Sequence, residues 1–321
     1  MVDGDITSKV SFSKRTGLLL NVSIGAQFES VIKQSSTKEG LGAKMAIVTM
    51  NFESEFLKSN HWISVILPDK PRDVPARAFY GSGKKYKVLW LLHGTYGDHT
   101  DWLRRTNIEL YACERDLIVV MPSALNSNYS NWDKCMMGFG MYDYLTEELM
   151  PLVYGWFPAS DRREDNFIAG LSMGGRGTIK YAVNHPDKFA AAAVLSAAPV
   201  DFKQLTEDDL NKDDMFARRL RGMVENAGGL DAFIHSSENV WDIMTALAGT
   251  GKLPRLLFAC GTEDRMIFEN LQTFRAHAEK TGIEAEYWIL EGYAHEWRFW
   301  DLAIEHALDF FGLEKTGRSP Y

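Results

Sequence analysis

The chain has 321 residues, 45% hydrophobic and 24% charged, with a formal net charge of -8. That is a globular composition with ample core, for one large domain or two ordinary ones. The acidic balance argues against a nucleic-acid surface, and no apolar run approaches the ~20 residues that span a bilayer.

Met1-Val2-Asp3-Gly4-Asp5 lacks a basic start, and Leu18-Leu19-Leu20 is too short for a signal core, so no signal peptide is expected. Cys113, Cys135 and Cys260 are odd in number and widely spaced. They make neither a zinc motif nor a disulfide framework, and a cytoplasmic location is the simplest reading.

Residues 1–44 read as an N-terminal extension before the domain proper, 45–321. Ser, Thr, Lys and Gly are frequent there, and Gln34-Ser35-Ser36-Thr37-Lys38-Glu39-Gly40 has loop composition. The alternative is a hairpin that packs on the domain. Residues 45–52 read as a strand. Residues 61–67 alternate apolar and polar and stop at Pro68, as in an outer strand. Residues 87–92 are nearly all apolar, as in a strand covered on both faces. A helix is expected over 102–115, a buried strand over 117–121 and a helix over 144–157.

Residues 167–169 form a short apolar run that enters Gly170-Leu171-Ser172-Met173-Gly174 and then a helix. Strands follow at 190–196, 255–259 and 284–290, with helices at 268–280 and 296–311. Strands alternating with helices imply a mostly parallel central sheet with helices on both faces. Residues 201–254 contain no clear strand. They read as a small helical insertion at the C-terminal edge of the sheet, where ligands bind in open α/β folds. Whether it touches substrate or only covers the surface stays open.

Strand, sharp turn and helix around G-x-S-x-G make Ser172 the candidate nucleophile. A serine hydroxyl needs a base, and the base needs an acid to orient it. Chain order on such a sheet is Ser, acid, His. Five of the eight histidines follow Ser172, and only His295 lies in a loop just after a strand, in Glu291-Gly292-Tyr293-Ala294-His295. The acid should follow the preceding strand, where Gly261-Thr262-Glu263-Asp264 offers two carboxylates. Asp264 is the choice, because it lies deeper in the loop and has the shorter side chain; Glu263 is second. Backbone N–H groups of Met173 and Thr95 would hold an oxyanion. His93 reads as a structural hydrogen-bonding residue beneath the site. Trp102 is either a wall of the acyl pocket or a core aromatic. Tyr129 and Trp132, in the loop 126–132, are either stacking faces on a compact polar rim or packing residues.

"LLHGTYGDHTDW", "AGLSMGGRGT", "NHPDKFAAAAVLSAAP", "GTED" and "GYAHEWRFW" resemble the putative esterase family, over about residues 45–312. That group includes esterase D, feruloyl and acetyl esterase domains and mycolyltransferases, and the tributyrin-esterase-like branch is most similar. The resemblance implies an α/β-hydrolase fold with Ser172, Asp264 and His295 as triad and Thr95 and Met173 as oxyanion donors. It implies a serine carboxylesterase for short-chain acyl esters, acetylated or feruloylated carbohydrates among them. No metal or other cofactor is expected, the partner is a small-molecule or carbohydrate ester, and self-association into a homo-oligomer is left open. S-formylglutathione hydrolysis and acyl transfer are the alternative chemistries, and a non-catalytic binding module is the alternative class.

Overall fold

The computed structural model describes residues 44–317. The extension expected before Met45 therefore lies outside the described residues, apart from Lys44. Among the described residues ten strands run in chain order: β1 (Lys44–Ser54), β2 (Ser59–Asp69), β3 (Val88–Leu92), β4 (Ile118–Pro122), β5 (Asn131–Trp132), β6 (Phe139–Gly140), β7 (Asn166–Leu171), β8 (Ala191–Leu195), β9 (Arg255–Gly261) and β10 (Glu286–Leu290). Eight of them form one sheet in the order β1-β2-β4-β3-β7-β8-β9-β10, and β5 pairs with β6 alone. β1 and β2 join antiparallel, and every pairing from β4 to β10 is parallel.

The central strands are buried along their whole length, which is why VLWLL, IVVMP and AAAVL are apolar without alternation. Their side chains feed two cores. Val88, Trp90 and Leu92 point to one, and Leu89 and Leu91 to the other. The principal helices are α1 (Ile108–Glu114), α2 (Met150–Trp156), α3 (Met173–Asn184), α4 (Met215–Ala227), α5 (Val240–Leu247), α6 (Phe268–Thr281) and α7 (Trp297–Phe310). Helices α2, α3, α5 and α6 bury apolar residues in the first core, and α1 and α7 in the second.

Three elements differ from the sequence reading. β2 is not an outer strand: β1 covers one side of it and β4 the other, leaving β1 at the edge. The helix expected over 102–115 is two, Asp101–Arg105 and α1, with Thr106 extended between them. There the Asp301 carboxylate takes both the backbone N–H of Asn107, at 2.8 Å, and its side-chain amide, at 3.0 Å. The helix expected over 144–157 starts as a π-turn, Tyr144–Leu149, before α2. Pro151 has no N–H for the carbonyl one turn back, and its ring crowds that turn.

Between β8 and β9 the chain forms the expected helical insertion. It carries an apolar core of its own from Phe202, Leu210, Met223, Val224 and Phe233.

Candidate active site

Ser172 stands between the end of β7 and the start of α3, at φ 53 and ψ -115. A non-glycine residue there costs about 1–3 kcal/mol and persists only where its surroundings hold it. The Ser172 N–H donates to the Leu195 carbonyl at 2.8 Å, and its own carbonyl accepts from the Arg176 N–H at 3.0 Å. Two glycines let the turn close. A Cβ on Gly170 would lie 2.6 Å from the Gly174 backbone, and one on Gly174 would run into the carbonyl oxygens of Leu92 and His93. Helix α3 therefore sits directly on β3 and β7, and its first turn lies under the serine.

The Oγ of Ser172 is 3.0 Å from Nε2 of His295, and Nδ1 of His295 is 2.7 Å from Oδ2 of Asp264. Asp264 is fully buried, and its second oxygen accepts the Met266 N–H at 3.3 Å. Glu263, the second candidate, is exposed. Its N–H donates to the Tyr293 carbonyl at 2.9 Å, which ties the acid loop to the histidine loop. Trp300 meets the His295 ring edge-on at 5.0 Å and anchors its own indole N–H on the Ser196 hydroxyl at 3.0 Å. The imidazole is thus held from two sides.

Two other nucleophilic or basic groups nearby are disarmed. Burial pushes the Cys260 thiol up to about 12, with the Asp264 charge adding to it. Burial pushes His93 down to about 4. The neutral His93 ring donates from Nδ1 to the Gly94 carbonyl at 2.7 Å and accepts the Ala124 N–H on Nε2 at 2.8 Å.

Met173 opens α3, so its N–H has no acceptor within the helix. Thr95 lies on the loop after β3, and it lines the same cavity as Ser172 and Met173.

Of the three aromatic residues weighed as substrate contacts or packing residues, Trp102 and Tyr129 belong to the packing. Trp102 is 1% exposed and donates its indole N–H to the Leu92 carbonyl at 3.1 Å. Tyr129 is 0% exposed and donates its hydroxyl to the His93 carbonyl at 3.0 Å. Neither can present a face to a ligand. Trp132 is half-buried, donates to the Ser127 carbonyl at 2.7 Å and faces Gly222 of the insertion. The loop 126–132 folds inward, because Asn128 and Tyr129 both take left-handed backbone, at φ 57 and 53.

The real walls come from the insertion. A cavity of about 470 Å³ joins Ser172 and Met173 to Phe202, Leu205, Phe216 and Leu220. Arg176 and Arg219 also line it. A second cavity of about 360 Å³ adjoins the first, sharing Thr95, Ser172, Phe216 and Met266 with it and adding His295, Tyr96, Trp297 and Trp300. Arg176 was legible in principle: it ends the first turn of the helix that follows the serine turn, close to Ser172 in the chain.

Sheet order, serine turn and the Ser–His–Asp line define an α/β-hydrolase of the serine type. The chain belongs to the esterase family described as "Putative esterase", whose profile matches residues 54–310. It is 31% identical over 275 residues to an acetyl esterase of Caldicellulosiruptor saccharolyticus, covering 83% of this chain and 98% of that one. Among solved structures it is similar to FphF, a fluorophosphonate-binding serine hydrolase of Staphylococcus aureus. That match has TM-score 0.68 and 30% identity, over 83% of this chain and 98% of that one. It is also similar to the S-formylglutathione hydrolase FrmB of Staphylococcus aureus, with TM-score 0.67 and 32% identity, over 84% of this chain and 99% of that one. The protein is a serine carboxylic ester hydrolase. Among the described residues no helix is long and apolar enough to cross a membrane.

Proposed function

We propose that this esterase hydrolyses short-chain acyl esters through an acyl-enzyme on Ser172. The hydrogen-bonded line from Ser172 through His295 to Asp264 carries the reading. Asp264 keeps a proton on Nδ1, so Nε2 is free to take the Ser172 proton as Oγ attacks the carbonyl. The N–H groups of Thr95 and Met173 stabilise the oxyanion. The imidazolium then protonates the departing alcohol. Water attacks the acyl-enzyme by the same steps and releases the acid.

Short acyl groups are supported by the cavity chemistry. A long alkyl chain would have to run past Arg176, Arg219, Lys212 and Asp209, all of which line the space beside Ser172. Each methylene left unburied forfeits about 0.8 kcal/mol. The acetyl esterase relative agrees with this size. The likeness to FrmB favours a second reading, a formyl thioester of glutathione, which release of formate would identify. The exposed thiol of Cys135 suits a reducing, cytoplasmic setting.

A fluorophosphonate probe should label Ser172 and leave Ser172→Ala unlabelled, with the circular dichroism unchanged. kcat/KM across p-nitrophenyl acetate, butyrate, octanoate and palmitate should peak at the short end. Labelling of Ser172→Ala would remove the nucleophile assignment, and a steady rise to palmitate would remove the chain-length assignment.

A further inference from the structure

Arg176 and Arg219 place two guanidinium groups in the cavity beside the nucleophile. Neither has a carboxylate partner among the described residues. Arg219 donates one bond, from Nη2 to the Thr95 hydroxyl at 3.1 Å. The Arg176 guanidinium has no hydrogen bond or ion pair within the described chain; its carbon only lies 6.0 Å from the Phe202 ring centroid. Burial lowers the pKa of both.

The neighbouring acids are spoken for. Glu238 holds Lys180 at 2.8 Å, and Lys180 also donates to Ser130 and Asn128. Asp209 takes Lys212 at 2.8 Å and the Thr206 hydroxyl at 2.7 Å. Asp214 caps α4, accepting the N–H groups of Phe216 and Ala217 at 2.8 and 2.9 Å. One turn of helix separates the fully partnered Lys180 from the partnerless Arg176. Glu238 acts on the Arg176 charge but is bonded to Lys180, and Asp209 and Asp214 line the same cavity with donors of their own, so the two half-buried guanidinium groups stand there without a bonded counterion, which is costly. A carboxylate matches the guanidinium fork and removes that cost.

The side of the substrate follows from the proton path. The leaving oxygen must meet Nε2 of His295, and His295 lines the second cavity but not the arginine-bearing one. The alcohol therefore departs into the second cavity, and the first receives the acyl part. We infer that this acyl part carries a carboxylate, so that the preferred substrate is a half-ester of a short dicarboxylic acid. Water cleaves its acyl–oxygen bond, and the products are the alcohol and the dicarboxylate. The inference rests on the roles given above to Ser172 and His295.

Monomethyl succinate and methyl butyrate have acyl groups of matched carbon count and differ in charge, and O-butyrylglycolate moves the charge to the alcohol. Hydrolysis of all three by the whole protein can be followed in a pH-stat. For the wild type, kcat/KM for monomethyl succinate should exceed that for methyl butyrate by at least about tenfold, the scale of a hydrogen bond to a charged group. Added salt should reduce the ratio. Arg176→Gln should lower the ratio about tenfold or more, and Arg176→Lys should keep part of it. A wild-type ratio of one or less overturns the inference, and this holds even if the variants do not fold. A preference for O-butyrylglycolate overturns the assignment to the acyl side. If no ester is cleaved and Ser172 takes no fluorophosphonate, the catalytic reading itself has failed.

Discussion

Asp264→Asn separates charge from shape at the buried end of the Ser–His–Asp line. One carboxylate oxygen faces His295 Nδ1 at 2.7 Å, and the other accepts the Met266 N–H at 3.3 Å. A carboxylate serves two donors; an amide has one accepting end and one donating end. The fixed backbone N–H of Met266 selects the carbonyl end of the asparagine, and its NH2 then faces His295. Nδ1 has to accept, the ring proton moves to Nε2, and Nε2 can no longer take the Ser172 proton. The negative charge beside the developing imidazolium is lost as well. At 0% exposure, water cannot replace it. Together these should lower kcat by about 10⁴, roughly 5.5 kcal/mol in the barrier. Single-turnover acylation with p-nitrophenyl acetate, measured beside the thermal midpoint, reads the effect. Asp264→Ala imposes no tautomer and should keep at least as much activity as Asp264→Asn. A loss below about tenfold in Asp264→Asn, with unchanged stability, would refute the tautomer argument.

Other consequences are independent of that one. His93 has a folded pKa of about 4 against an ordinary 6.5, so the unfolded chain binds the proton first. Its contribution to stability is present above pH 6.5 and lost as pH falls towards 4, by about 3 kcal/mol in all; urea midpoints from pH 7 to 4 should fall, and less steeply in His93→Gln. Gly174→Ala pushes a methyl into the carbonyl oxygens of Leu92 and His93. It should cost about 1–3 kcal/mol, seen as a lower thermal midpoint, and reduce activity by displacing the serine turn. A chain beginning at Met45 should keep its esterase activity, since the family match spans only 54–310; an inactive, aggregated product would show that the extension completes the core.

What was legible in the sequence was whatever depends on neighbours along the chain. The serine turn needs a strand, small residues and a helix within a dozen positions. His295 and Asp264 could be placed because each sits in a loop directly after a strand, in an order the sheet imposes. The break at Thr106-Asn107 could not be seen, because the Asp301 that causes it lies 194 residues from Asn107. The same blindness misplaced Trp102 and Tyr129. An aromatic residue at a helix start or in a polar loop looks available to a ligand, yet both indole and phenol point inward to carbonyls of the β3 end. The two arginines passed unnoticed because a cation reads as solvated until its surroundings are known.

The insertion between β8 and β9 builds a small core of its own around Phe233, while its last helix, α5, packs Val240 and Met244 into the first core of the sheet. It also supplies most of the apolar wall beside Ser172. Reaction and selectivity thus draw on different packing clusters within one compact unit. Substitutions in α4 can drift through selection at the expense of that minor core alone, while the serine turn, the imidazole and their supporting carbonyls stay under the protection of the larger one. Descent within such a lineage can trade substrates repeatedly without renegotiating the chemistry, and laboratory libraries confined to 202–224 would exploit the same freedom.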